Sequence, residues 1–330
     1  RRQRQMCIRD SYCTGLTMTN KKFADLFDGP PRDPESELSQ KEMDLAASIQ
    51  VVTEEIVLKL ANSIRRETGL KNLCLAGGVA LNCVANGKLL KSNIFDNVWV
   101  QPAAGDAGGA LGAALAIHHM MLENPRKEIN QDSMRGSYLG PQFSEAETTK
   151  ALDNLGAIYN NLSEDELFET AADALASGQA IGWMNGRMEY GPRALGARSI
   201  IADSRSPTMQ KMLNLKVKYR ESFRPFAPSI LKEELSNWFE LDEESPYMLM
   251  VSEVSKDKRL APNNEDESLF GIEKLNMPRS KIPAVTHIDY SARVQTVDPL
   301  TNPRSVSYTH LRAHETREDR VCRGGREKKK

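Results

Sequence analysis

The segment 185–229, NGRMEYGPRALGARSIIADSRSPTMQKMLNLKVKYRESFRPFAPS, decides how this chain is read. It gathers Arg187, Arg193, Arg198, Arg205, Lys211, Lys216, Lys218, Arg220 and Arg224 around two stretches stiffened by Pro192, Pro225 and Pro228. Only Glu189, Asp203 and Glu221 stand against them. Arginine offers a planar fork of donors that meets phosphate or carboxylate oxygens two at a time, and lysine adds a point charge. A charged helix face would alternate signs at i, i+4 and would not carry Gly-Pro-Arg or Arg-Pro-Phe. Fixed backbone with converging cations reads as a pocket for a small polyanion. The bland alternative is a solvated basic loop.

The segment leaves from the end of a strand. QAIGWM, 179–184, has the composition of a short strand, and ligands of α/β domains commonly lie beyond such ends. Ahead of it, Ser163 and Glu166 form a capping box for a helix through about Ala176, closed by Gly178. Further back, Leu45, Ile49, Val52, Ile56, Leu60 and Ile64 recur at three and four. They predict one long helix, 41–67, with a single buried stripe stopped by Gly69. Then NLCLAGGVALNCVANGKLL reads as strand 73–75, a Gly77-Gly78 turn and helix 79–90. A second unit repeats the pattern: strand 97–100, the loop PAAGDAGGA, and a helix from Leu111 to about Met121. Two such units in tandem suggest an α/β domain with ligand at the turns.

GDAGGALG lacks GxGxxG spacing, so Asp106 does not mark a dinucleotide loop. A carboxylate there suits either a metal ion or the N-cap of the next helix. His118 and His119 lie inside that helix about 100° apart and cannot serve one ion from one face, so one is expected half-buried and one exposed. Residues 122–137 are polar with a helix-breaking proline and read as a linker; 255–280 read as a polar insertion. AVTHID, 284–289, and RVQTV, 293–297, return to strand-like alternation, carrying His287 and Arg293.

Composition closes off other classes. The chain has 330 residues, enough for two domains, and a net charge of -1, so nothing global points to nucleic acid or anionic membrane. Mean hydropathy is -0.50, and no run approaches the ~20 apolar residues of a membrane helix. Five cysteines without a CxxC pair form no disulfide framework and suggest a reducing, cytoplasmic setting. Residues 1–12 and 305–330 look like translated sequencing-adapter read-through, so the HxxxH of His310 and His314, which could be read as a metal pair, is set aside with them, as is the lysine-rich end.

GRMEYGPRALGARSI (186–200), KYRESFRPFAPS (218–229) and IPAVTHIDYSARVQTV (282–297) resemble the YrdC-like C-terminal domain of the O-carbamoyltransferases, the family that modifies nodulation factors, cephamycin and tobramycin. LAGGVALN (75–82) and PAAGDAGGALGAAL (102–115) are similar to that family's actin-like ATPase-fold domain, related to the tRNA threonylcarbamoyl transferases. The implied fold is α/β: a partial actin-like domain over 13–121, the linker, then a YrdC-like domain over 138–304. Prolines fix the backbones of Arg193 and Arg224, and Lys218 lies between them in KYRE, so these three are the main candidate catalytic ligands of phosphate and carbamoyl groups; the resemblance adds Arg293. It adds Gly77, Gly78, Asn82, Arg198, Arg220 and His287 around the nucleotide, and Asp106 as a metal ligand. Arg198 and Arg220 could instead serve structural ion pairs with Glu189, Asp203 or Glu221, and His287 and Arg293 could be strand-surface residues. Implied cofactors are ATP and a divalent metal, iron foremost and Mg as the alternative. Implied partners are carbamoyl phosphate, ATP and a hydroxyl-bearing small-molecule or glycan acceptor, with no nucleic acid and no membrane; a homo-oligomer stays open. The upstream histidines of the family's metal site are absent, which suggests a truncated piece with little transferase activity. A tRNA-modifying enzyme and a non-catalytic anion-binding module are the other readings. Against the first, the cations cluster in one short segment without an aromatic stacking platform.

Overall fold

A computed structural model of the chain describes residues 20–33, 36–127, 132–261, 269 and 271–303. The chain divides into two units, 1–50 and 51–330. In the first, helix α1 (Lys21–Leu26) is capped by the Asn20 side chain, which accepts from the Phe23 N–H at 3.1 Å. The start of helix α2 (Gln40–Thr68) is held by Glu42, which accepts from the Ser39 N–H at 2.8 Å and from its hydroxyl at 2.6 Å.

The second unit carries the rest of α2, which ends where Gly69 turns left-handed at φ 67°. The expected stripe is not its buried side. Val52, Ile56, Leu60 and Ile64 remain 42–57% exposed, whereas Ala61 and Glu54 are buried. Ala61 brings α2 close to Leu73, Leu89 and Phe95, and Glu54 pairs with Lys88. A small residue permits that approach, so the helix presents its Ala61 face; periodicity shows that a helix has an apolar side but not which side meets a neighbour.

Strand β1 (Asn72–Leu75) pairs in parallel with β2 (Asn97–Val100), Leu73 opposite Val98. Between them lie a 3-10 turn (Gly78–Leu81) and helix α3 (Cys83–Lys91). After β2 comes α4 (Asp106–Ala116), continued by a π turn over Ile117–Met121. Both strand–turn–helix units are therefore present, α4 starting five residues earlier than its sequence pattern implied. His118 is exposed and His119 half-buried, as expected.

Residues 132–137 are not a solvated linker. Met134, Gly136 and Ser137 are buried, and Met134 joins a core with Val100, Leu195, Tyr247 and Leu249. Beyond them, α5 (Glu145–Asn154) and α6 (Glu164–Ala176) each start with a capping box, at Ser144/Glu147 and at Ser163/Glu166. Strand β3 (Ile181–Met184) pairs antiparallel with β4 (Arg198–Ile201), so the basic loop is the connection of a two-stranded ribbon. Helix α7 (Met209–Met212) runs into a π turn at Leu213–Val217. The last sheet orders β5 (Ser229–Leu231), β7 (Ser291–Val297) and β6 (Met250–Glu253), with β7 parallel to β5 and antiparallel to β6. Helix α8 (Leu235–Trp238) covers it through a core of Ile230, Leu235, Phe239, Val254 and Val294.

The strand expected over 284–289 is instead a 3-10 turn at Pro283–Val285 and a loop, with Pro283 at its first turn and Tyr290 left-handed at φ 63° before β7 begins. Proline presets the turn and removes a ladder donor, which defeats the strand reading. The architecture is mixed α/β throughout. Among the described residues, no helix is long and apolar enough to cross a membrane.

A candidate anion-binding site

Glu189 sets the shape of the basic loop. Its side chain is wholly buried and its Oε1 accepts from the N–H groups of Leu195 at 2.6 Å and Ala197 at 2.8 Å. Its Oε2 accepts from Arg198 Nε at 3.2 Å, and Arg198 also donates to the Gly191 carbonyl at 2.8 Å. Arg198 therefore takes the structural of its two sequence readings within this loop. The Leu195 carbonyl accepts in turn from Tyr138 at 2.7 Å and from Gln295 on β7 at 2.9 Å. Held from three sides, the loop carries Arg193 at a defined place.

That place is beside both glycine turns. Arg193 Nη2 donates to the Leu81 carbonyl at 3.3 Å, immediately before α3. The Gly77 N–H donates to Ala104 at 2.9 Å, which ties the Gly77-Gly78 turn to the loop before α4. Tyr190 donates to the Ala107 carbonyl, and a Cβ at Gly191 would lie 3.3 Å from that of Ala103. Gly77 itself sits at φ 97°, a conformation that side chains rarely adopt, with open space where a Cβ would project. Asn82 accepts from the Ala85 N–H at 3.1 Å and is the N-cap of α3. Asp106 is exposed in the first turn of α4; the N-cap there is Gly105, so the N-cap reading of Asp106 does not hold.

Arg293 enters from β7. It is opposite Val251 on β6, and Gly87 of α3 lies against the Val251 backbone, where a Cβ would be 2.5 Å from the carbonyl oxygen. The Nε atoms of Arg193 and Arg293 are both buried without a hydrogen-bond partner. Burial pushes the Arg293 guanidinium below its ordinary range, and the positive charges of Arg193 and Arg220 push it further; Cys83 opposes the shift. Burial likewise lowers His287, which Arg293 reinforces and Asp289 opposes. Arg220 is lowered by burial and by Arg224, with Glu221 opposing. Among the described residues neither Arg193 nor Arg293 has a carboxylate ion pair.

The second basic segment is organised by Asn214, fully buried in the π turn. Its amide donates to the carbonyls of Ser222 at 3.0 Å and Arg224 at 2.8 Å, and its oxygen accepts from Arg220 Nε at 2.7 Å. Arg220 also lies over the Phe226 ring, 5.1 Å from its centroid. Arg224 pairs with Glu221 at 2.9 Å, both half-exposed, and Lys218 is exposed at the end of the π turn. Arg193, Arg220, Arg293 and His287 are thus brought together, while Arg198 and Arg224 have carboxylate partners of their own. Sequence reading missed Cys83, Asn214, Tyr138 and Gln295. Cys83 was the easiest to suspect, since it directly follows LAGGVALN; Gln295 and Tyr138 have partners 100 and 164 residues away, and Asn214 acts on a loop that closes back only after the turn.

A metal needs several donors in one place. Among the described residues no group of three or more His, Cys, Asp or Glu side chains is placed to hold one. His310 and His314 lie outside the described residues.

The family description Carbamoyltransferase N-terminus matches residues 2–115, and Carbamoyltransferase C-terminus matches residues 172–321. The chain belongs to the carbamoyltransferase family. An uncharacterized protein of Synechocystis is 61% identical over 296 residues, 89% of this chain and 48% of that protein. Nodulation protein NolO of Bradyrhizobium diazoefficiens is 40% identical over 269 residues, 80% of this chain and 45% of NolO. Nodulation protein NolNO of Sinorhizobium fredii is 42% identical over 267 residues, 80% of this chain and 36% of NolNO. The chain spans less than half the length of each. In this carbamoyltransferase-family chain, Cys83, Asn82 and the glycine turns fall within the N-terminal match, and every arginine of the cluster falls within the C-terminal one.

Proposed function

We propose that this chain takes part in O-carbamoyl transfer, with carbamoyl phosphate and ATP as substrates and a hydroxyl group as acceptor. The observation that carries the proposal is the gathering of Arg193, Arg293 and Arg220 without a carboxylate on Arg193 or Arg293, next to the start of α3. Water cleaves carbamoyl phosphate to carbamate and phosphate. A carbamate oxygen then attacks the α-phosphorus of ATP, forming carbamoyl-adenylate as pyrophosphate leaves. Finally the acceptor hydroxyl loses its proton and attacks the carbamoyl carbon, and AMP departs. Carbamoyl phosphate, carbamate and ATP are all anions, and preplaced guanidinium groups stabilise charge building on phosphoryl oxygens with little reorganisation. Arg193 and Arg293 take the phosphoryl oxygens, Arg220 and Lys218 add positive potential, and Arg224 joins by leaving Glu221. His287, held neutral by its surroundings, can donate one hydrogen bond to the anion. A metal, iron by family likeness, would require donors beyond those described around Asp106, and no step here runs through it.

The test is pyrophosphate release from ATP with and without carbamoyl phosphate, comparing the chain with Arg193→Ala. Release that depends on carbamoyl phosphate and drops at least tenfold in the variant supports the activation step. Carbamoyl phosphate binding without any pyrophosphate release overturns it in favour of a non-catalytic anion-binding module.

A further inference from the structure

We infer that Gln295 tells a carbamoyl group from other groups carried on phosphate, its side-chain oxygen accepting the carbamoyl N–H; the inference rests on the carbamoyl phosphate reading above. Gln295 and Arg293 lie two residues apart on β7. Alternate side chains of a strand share a face, so the two stand together, about 7 Å apart along the strand. The Gln295 side chain reaches the basic loop, where its Nε2 donates to the Leu195 carbonyl at 2.9 Å, two residues beyond Arg193. A carbonyl oxygen only accepts, so the amide nitrogen must face it, which fixes the direction of the Gln295 oxygen. Leu195 is itself anchored, its N–H donating to Glu189 at 2.6 Å.

Among the described residues no donor reaches Gln295 Oε1, although the residue is only 4% exposed. Unlike the Nε atoms of Arg193 and Arg293, that oxygen is not sealed from solvent. A buried amide with its nitrogen committed to the loop and its oxygen left open is ready for a donor from a ligand. Arginine offers donors and no acceptor. Arg193 and Arg293 can therefore hold phosphoryl oxygens but cannot receive the N–H groups of a carbamoyl amide, and alone they would take acetyl phosphate as readily. The Gln295 oxygen supplies the missing acceptor on the Arg293 face of β7. A carbamoyl N–H satisfies it, whereas the methyl of an acetyl group leaves it unpaired.

The experiment is calorimetric titration of the full chain with two non-hydrolysable probes: phosphonoacetamide, which carries the amide, and 2-oxopropylphosphonate, which carries a methyl in its place. Wild type is expected to bind phosphonoacetamide about tenfold tighter, the size of one neutral hydrogen bond. Gln295→Met should bring the two affinities together by weakening phosphonoacetamide alone. Tyr138→Phe, which removes the other side-chain hydrogen bond on the Leu195 carbonyl, should keep the preference. Equal affinities in the wild type overturn the inference with no variant needed, and so does a preference that survives Gln295→Met. Equal weakening of both probes by Gln295→Met would make Gln295 a positioning residue acting through Leu195, which also overturns it. Wild type that binds neither probe defeats the carbamoyl phosphate reading itself.

Discussion

Replacing Glu189 by alanine tests whether the basic loop is built as described. The substitution strands the N–H groups of Leu195 and Ala197, both in residues that are at most 2% exposed. A buried donor left without an acceptor costs about 1–3 kcal/mol, so the pair contributes about 2–6 kcal/mol. Arg198 loses its partner too, but its side chain is 36% exposed and water takes over most of that interaction, adding little. Tyr138 and Gln295 still hold the Leu195 carbonyl, which favours the lower half of the range. A loss of about 3 kcal/mol corresponds to a fall in melting temperature of roughly 6–12 °C for a domain of this size. Glu189→Gln keeps one acceptor oxygen and should lose less than half as much. Thermal and urea unfolding of the three proteins read this directly. Phosphate binding, followed well below the melting point, should weaken in Glu189→Ala because Arg193 lies four residues along the loop. A Glu189→Ala protein whose stability falls within about 0.5 kcal/mol of wild type would refute the assignment of Glu189 as the internal anchor.

Gly87→Ala should destabilise the chain by about 1–3 kcal/mol by urea unfolding, because the new Cβ meets the Val251 carbonyl at 2.5 Å and overpacking outweighs the ~1 kcal/mol gain in helix propensity. Stabilisation instead would mean that α3 and β6 are not in contact. Arg293→Met should stabilise the ligand-free chain by about 1 kcal/mol through relief of unpaired buried charge, yet lose the rise in melting temperature that phosphate gives the wild type. A variant that keeps the phosphate-dependent rise removes Arg293 from the site. The His287 imidazole is held below its ordinary value of 6.5, so the unfolded chain binds this proton more readily than the folded one. Stability therefore climbs with rising pH through the region below 6.5 and levels off above it, and His287→Gln should flatten that part of the unfolding-versus-pH curve. A bound phosphate favours the protonated ring, so phosphate binding near pH 6 should take up protons, detectable as a dependence of the calorimetric heat on the buffer used. Absence of that uptake would place His287 away from the anion.

The sequence by itself determined the local features. Gly69 ending α2, the capping box at Ser163 and Glu166, and the two strand–glycine turn–helix units all depend on residues within a few positions of one another, so spacing suffices to see them. The cations of the site were legible as well, because prolines and repeated arginines in a short segment are themselves a signal. Three things only the tertiary structure decided. The buried side of α2 is the one with Ala61, since close packing on Leu73 and Leu89 needs a small residue there. Residues 132–137 are core rather than spacer because Met134 finds apolar neighbours from Val100 to Leu249. Arg193, Arg220 and Arg293 form one cluster, with Arg198 turned inward on Glu189, because β7 and the β3–β4 ribbon meet around the start of α3. Propensity and spacing act along the chain over a few residues. Which arginine keeps its charge free for a ligand depends on where distant carboxylates and strands come to lie.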